Sequence, residues 1–219
     1  MREKNNKFIL LSLLLYLLPL LLPLHSQAAA FPLSIGISPW FQFPPKDVTV
    51  AGLRLSLLWG RHENVYGFDF GLLGNITEKE LVGTSMSLLF NKADNATILG
   101  AQLTFGANLT KDNLNVVGIQ LAGLANSCGG KGRVLGLQMA FIGNFNSKVD
   151  IYGAQVGAVN QADRVVGLQI GSVNQAEHAV GVQLGFMNRA KDLHGLQIGL
   201  LNFHTNGMLS FFPFLNAGF

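Results

Sequence analysis

A glycine opens each of ten short, similar units, and the last three read GLQIGSVN from Gly167, GVQLGFMN from Gly181 and GLQIGLLN from Gly195. Self-similarity at a fixed short period means one structural unit laid down many times. The leading glycines are Gly52, Gly67, Gly83, Gly100, Gly118, Gly136, Gly153, Gly167, Gly181 and Gly195, spaced by 14 to 18 residues. Such a unit has room for about one strand and one turn, so the chain is expected to be all-β.

Proline and charge mark the same boundaries. No proline occurs from Lys46 to Phe212, as continuous strand pairing requires, because proline cannot donate to a ladder. Nearly every charge between Val48 and Asn206 falls in a connector, and only Arg54 and Asp69 sit inside a unit. Apolar segments of roughly ten residues alternating with polar turns suit strands that are apolar or enclosed on both faces.

The two-residue strand period separates the faces of a unit. Val166, Leu168 and Ile170 share one face, which is apolar; Val165, Gly167, Gln169, Gly171 and Val173 share the other. Gln102, Gln120, Gln138, Gln155, Gln169, Gln183 and Gln197 hold equivalent positions, as do Arg54 and Asp69 in the first two units. This polar row is expected to face inward, with Arg54 and Asp69 as cross-strand partners, since a lone enclosed charge is costly and an opposite pair is tolerable. Such a pair serves either as a structural ion pair or as a charged constriction in a lumen.

Topology is more open. The palindrome about each glutamine favours an up-and-down antiparallel meander, in which Gln169 meets Gln183 and Gly171 meets Gly181. Ten units, the segment 31–40 and a closing strand at about 208–219 make twelve strands, and an even count suits a closed outer-membrane barrel. Against a barrel, the connectors show no long-short alternation and Phe68, Phe70, Phe105, Phe141 and Phe186 lie mid-strand. An asparagine also recurs once per unit from Asn91 to Asn202. That column suits either the stacked amides of a parallel β-solenoid, the alternative fold, or local capping of turns.

Residues 1–30 read as a cleaved export signal, with Arg2, Lys4 and Lys7 before an apolar run, Phe8–Leu24, and Ala28-Ala29-Ala30 at its end. The remainder, 31–219, is expected to be one repeat domain, with units over about 50–205. Of 15 basic and 12 acidic residues, three and one fall in the first 30, leaving 12 against 11. A near-neutral mature chain offers no electrostatic footprint for nucleic acid. The single cysteine, Cys128, has no partner in the chain and reads as a passive thiol in a loop.

Signals for catalysis are weak. His62, His178, His194 and His204 lie at or near connectors and read as surface residues, without metal-ligand spacing. The run from Cys128 to Gly132 lacks the spacing of a phosphate loop. No catalytic, cofactor-binding or metal-binding residue is expected, and no cofactor.

The units GLQIGSVNQA, GVQLGFMNRA and GLQIGLLNF, the opening VTVAGLRLSLLWGRHENVYGFDFGLLGN and the ending SFFPFLNAGF resemble the exported bacterial surface-repeat proteins built from tandem G-L-Q-I-G-L-x-N units, over about residues 41–219. The resemblance implies export and a surface location and no particular activity. The expectation is therefore an outer-membrane or surface β-repeat protein with a structural or passive pore role, and membrane lipid as its partner. The alternative is a secreted β-solenoid acting as a surface binding or adhesion module.

Overall fold

A computed structural model describes residues 30–219; the expected export signal, except its last residue, lies outside them. Sixteen strands fill the described part, and it contains no helix. They form a β-solenoid of ten coils, one per leading glycine, and every coil pairs in parallel with the next.

Each coil has two sides. A long side carries the glycine and the glutamine, as in Arg164–Ile170, and a short side carries the asparagine, as in Val159–Ala162. The sides meet at two corners, and the corners absorb the variation in unit length. Asn160 follows Gly153 by seven residues and precedes Gly167 by seven, whereas Asn108 follows Gly100 by eight and precedes Gly118 by ten. Glycine still stacks on glycine and asparagine on asparagine in both places.

The barrel expectation is corrected by this pairing. Gln169 does meet Gln183, but in parallel, so Gly167 rather than Gly171 faces Gly181. Like-with-like stacking arises from translation by one coil and needs no symmetry within the unit. The terminal segments do not close on each other either. Phe31–Ser38 lies along the first coil and is covered by the short strand Phe41–Phe43, while Phe211–Gly218 pairs antiparallel with the last coil. Both ends of the solenoid are thereby covered, which blunts strand edges that would otherwise template pairing with other chains. Pro213, inside the last strand, removes one donor from the outer edge.

Four columns fill the interior. One is aliphatic, Val50, Val65, Leu81, Ile98, Val116, Val134, Ile151, Val165, Ala179 and Leu193 from the long side; a second, from the short side, is mixed, with Ala93, Cys128, Ala162, Ala176 and Ala190 in line with His62, Thr77, Thr110 and Asn146. The other two are the glutamine and asparagine columns, fully buried beside the opposite corner. The leading glycines stand between aliphatic residue and glutamine with φ between +124° and +150°, a conformation that L side chains rarely adopt. A Cβ on Gly167 would also lie 2.1 Å from the carbonyl oxygen of Gly153.

Candidate functional site

The glutamine column is a hydrogen-bonded ladder. Gln120, Gln138, Gln155, Gln169, Gln183 and Gln197 each donate Nε2–H to Oε1 of the glutamine one coil earlier, at 2.7–3.0 Å, beginning on Gln102. Asn216 of the terminal strand donates to Gln197 at 3.2 Å and finishes it. The asparagine column does the reverse. Each residue from Asn75 to Asn188 donates Nδ2–H to the asparagine one coil later, at 2.8–3.2 Å. The amide dipoles of the two columns therefore oppose each other along the axis.

Asparagine does both things the sequence left open. Besides stacking, the same Nδ2 reaches a backbone carbonyl at the corner of the next coil, as Asn160 does to Ile170 and Asn174 to Leu184. It thus ties the long side to the short side where the chain turns. Two buried side-chain acceptors among the described residues lack a partner, Asn75 Oδ1 and Asn146 Oδ1. Asn75 begins its column because Gly60 stands at that position in the preceding coil, so no amide donates to it from there.

Gly60 has a neighbour that explains it. A Cβ at Gly60 would lie 2.3 Å from Ser56 Oγ, whereas the Arg54 side chain, which crosses the first coil, would be in ordinary contact with it at 3.4 Å. Arg54 and Asp69 are register partners, both fully buried, and form a bidentate pair, Nε to Oδ1 at 2.6 Å and Nη2 to Oδ2 at 2.5 Å. Ser85 donates to Asp69 at 3.0 Å, and Arg54 Nη1 donates to the Ile76 carbonyl at 3.1 Å. The polar column thus runs Ser34, Arg54, Asp69, Ser85, then the seven glutamines and Asn216. Ser85 was legible in the sequence as the residue two past Gly83, the place glutamine takes elsewhere.

His62 corrects the reading of the connector histidines as surface groups, for it is fully buried. Burial first, and then the Arg54 charge, push its pKa down to about 4. The neutral ring has Nδ1 at 3.3 Å from Arg54 Nη1 and Nε2 at 3.5 Å from Gln42 Nε2. The unfolded chain takes up this proton near pH 6.5 and the folded chain only near 4, so stability is lost as pH falls through that window, by up to about 3 kcal/mol. Urea unfolding at pH 7 and pH 4 should show that loss in the natural chain and a smaller one in His62→Asn. Equal losses in both would contradict it.

Gln169 tests the ladder directly. Gln169→Leu removes the donor to Gln155 and the acceptor of Gln183, and each orphaned amide group costs about 1–3 kcal/mol. A urea midpoint unchanged by this substitution would show that the ladder contributes nothing to stability.

The outer surface is apolar along one side and one corner. On the long side the outward columns are apolar, among them Phe68, Phe70, Leu99, Ile119, Leu135, Val180 and Ile198, and the corner beside the amide columns carries Leu57, Leu89, Phe105, Phe141 and Phe186. Phe141 is 84 % exposed and Phe105 76 %. Charges gather at the other corner in surface pairs, such as Glu63 with Lys79 and Glu177 with Lys191. There His178 Nδ1 lies 2.9 Å from Asp192 Oδ2, and Asn206 donates to Asp192 and holds its carboxyl below the usual range. The shallow depression beside them is lined by Arg164, Ala179, Val180 and His194 and offers no hydroxyl or thiol.

Cys128 is buried, and burial pushes its thiol pKa up, so it is a poor nucleophile at neutral pH. It ends the strand Ala125–Cys128 rather than sitting in a loop. Among the described residues no three His, Cys, Asp or Glu side chains gather as metal ligands. The interior offers no lumen along the columns, because the amides that line it bond one another, so the constriction reading of Arg54 and Asp69 gives way to an enclosed ion pair.

No family model, no curated protein and no solved structure matches this chain.

Proposed function

We propose that this chain is an exported, non-catalytic surface module of the bacterial cell, a rigid β-solenoid that docks through its apolar wall. The observation that carries the reading is the outward wall: uncharged apolar columns stand exposed along the whole long side while the amide columns are buried behind them. Monomeric soluble proteins rarely expose contiguous apolar patches beyond a few hundred Å². Ten coils at about 4.8 Å each give a wall nearly 50 Å long and about 20 Å across the long strands, on the order of 1,000 Å². The basic start and apolar run of residues 1–30 support export, and the resemblance to surface-repeat proteins supports the location.

Lysine on the wall tests this. Met139→Lys with Leu184→Lys places charge at two outward positions of the wall, each 42 % exposed, and should change the melting temperature little. The exported natural chain should sediment with the cell envelope, and the doubly substituted chain should appear in the soluble fraction. A substituted chain still held by the envelope would contradict docking through this wall.

A further inference from the structure

We propose that the occupant of the apolar surface is a lipid leaflet, with the solenoid lying on the membrane along its apolar corner rather than crossing it; this rests on the docking reading above. The corner is a ridge, since it is the turn between the long and short sides, and it carries the highly exposed apolar side chains Phe105, Phe141 and Phe186. A flat partner laid on the long-side wall would cover the wall and leave this ridge in water. Deformable hydrocarbon accepts a ridge, and apolar side chains can sink about 5–10 Å into the boundary between headgroups and acyl chains.

Chemistry changes with distance from the ridge as it does across such a boundary. Phenylalanine, leucine and isoleucine occupy the corner in eight coils, and Ala158 and Ser172 stand there in the other two. On the long side three uncharged columns follow, apart from His194, and the farthest holds Tyr66 and Tyr152, next to the charges. Tyrosine is enriched at headgroup level. On the short side the first charged column contains Arg61, Lys92 and Arg189 and no acid, which complements anionic headgroups. Arg61 also reaches Glu78 at 2.6 Å and Lys92 lies 3.6 Å from Asp94, both acids of the charged corner, so Arg189 is the base of this column that has no such partner among the described residues. That corner, with its acids, stays in water on the far side.

The test places an environment-sensitive fluorophore on Phe141→Cys or on Asp163→Cys, each in the full chain with Cys128→Ser. Vesicles of phosphatidylethanolamine and phosphatidylglycerol carrying brominated acyl chains serve as the probe. The label at 141 should shift to the blue and be quenched, and the label at 163 should not respond. Because the signal reports one position, attachment through Phe8–Leu24 does not imitate it. In the same assay, Phe105→Ser, Phe141→Ser and Phe186→Ser together should weaken the ridge-dependent partition on the order of a hundredfold or more, with an unchanged β circular dichroism spectrum.

A label at 141 that stays in water on the vesicles overturns the lipid assignment. If that label is already buried without vesicles and the mass is doubled, the occupant is a second copy, and docking through the apolar surface stands. If the lysine-substituted chain also remains with the envelope, both readings fall.

Discussion

Asp69→Asn is expected to lower stability by about 3–5 kcal/mol, because it leaves the Arg54 guanidinium fully buried without its counter-charge. The substitution is nearly isosteric, so packing is not what changes. Losses should concentrate in the first coils, where Arg54 also holds the Ile76 carbonyl and contacts His62. Repeat stacks are quasi-one-dimensional, and a local break lets one end open before the other. Hydrogen exchange should therefore quicken around Val50–Ser87 and leave Val159–His204 protected. Arg54→Gln with Asp69→Gln puts a pair of matched amides in the first two coils, beside Ser85, and should recover most of the loss, since a buried ion pair exchanged for matched uncharged groups is often neutral. A single substitution that shifts the urea midpoint no more than the double one would contradict this account of the pair.

Gly167→Ala has an effect of similar size from a different cause. Alanine would have to adopt φ near +136° and place its Cβ 2.1 Å from the Gly153 carbonyl oxygen. Strained backbone of this kind costs about 1–3 kcal/mol, and the contact with fixed backbone adds to it, for a total of about 3 kcal/mol or more. Because the glycine sits in the middle of a parallel stack, the break should divide unfolding into two transitions. Ser172→Ala, at an exposed corner, should leave the curve as it was. A single unshifted transition for Gly167→Ala would mean that the column tolerates a side chain.

Much of the interior was legible because the glycine column fixes the phase of every unit. Counting two residues on from each glycine reaches Arg54, Asp69, Ser85 and each glutamine, and the structure stacks them in one buried column. The direction of stacking was not legible. A palindromic unit presents like to like under reversal as well as under translation, so the columns alone favour neither antiparallel nor parallel strands. The asparagines held the missing information: a column on a second, shorter side of the coil has no place in a meander of single strands. His62 was hidden for a different reason. It lies within the charged segment Arg61–Glu63, and the packing of Gln42 against the first coil helps to enclose it. The outward apolar columns were visible as a face, but a barrel would turn that same face to lipid all round, whereas the solenoid confines it to one wall and one corner.

Parallel stacking is the claim on which the rest depends, and cysteine pairs decide it most directly. In a Cys128→Ser chain, Val166→Cys with Val180→Cys places two thiols on register partners of adjacent parallel strands, at a spacing of about 5 Å that a disulfide bridges without backbone movement. In the antiparallel meander Val166 would instead face Phe186, and residue 180 would lie about 20 Å away along the strand. Mild oxidation should therefore close the 166–180 pair rapidly and leave Val166→Cys with Phe186→Cys reduced. Closure of the 166–186 pair with the 166–180 pair left open would contradict the solenoid.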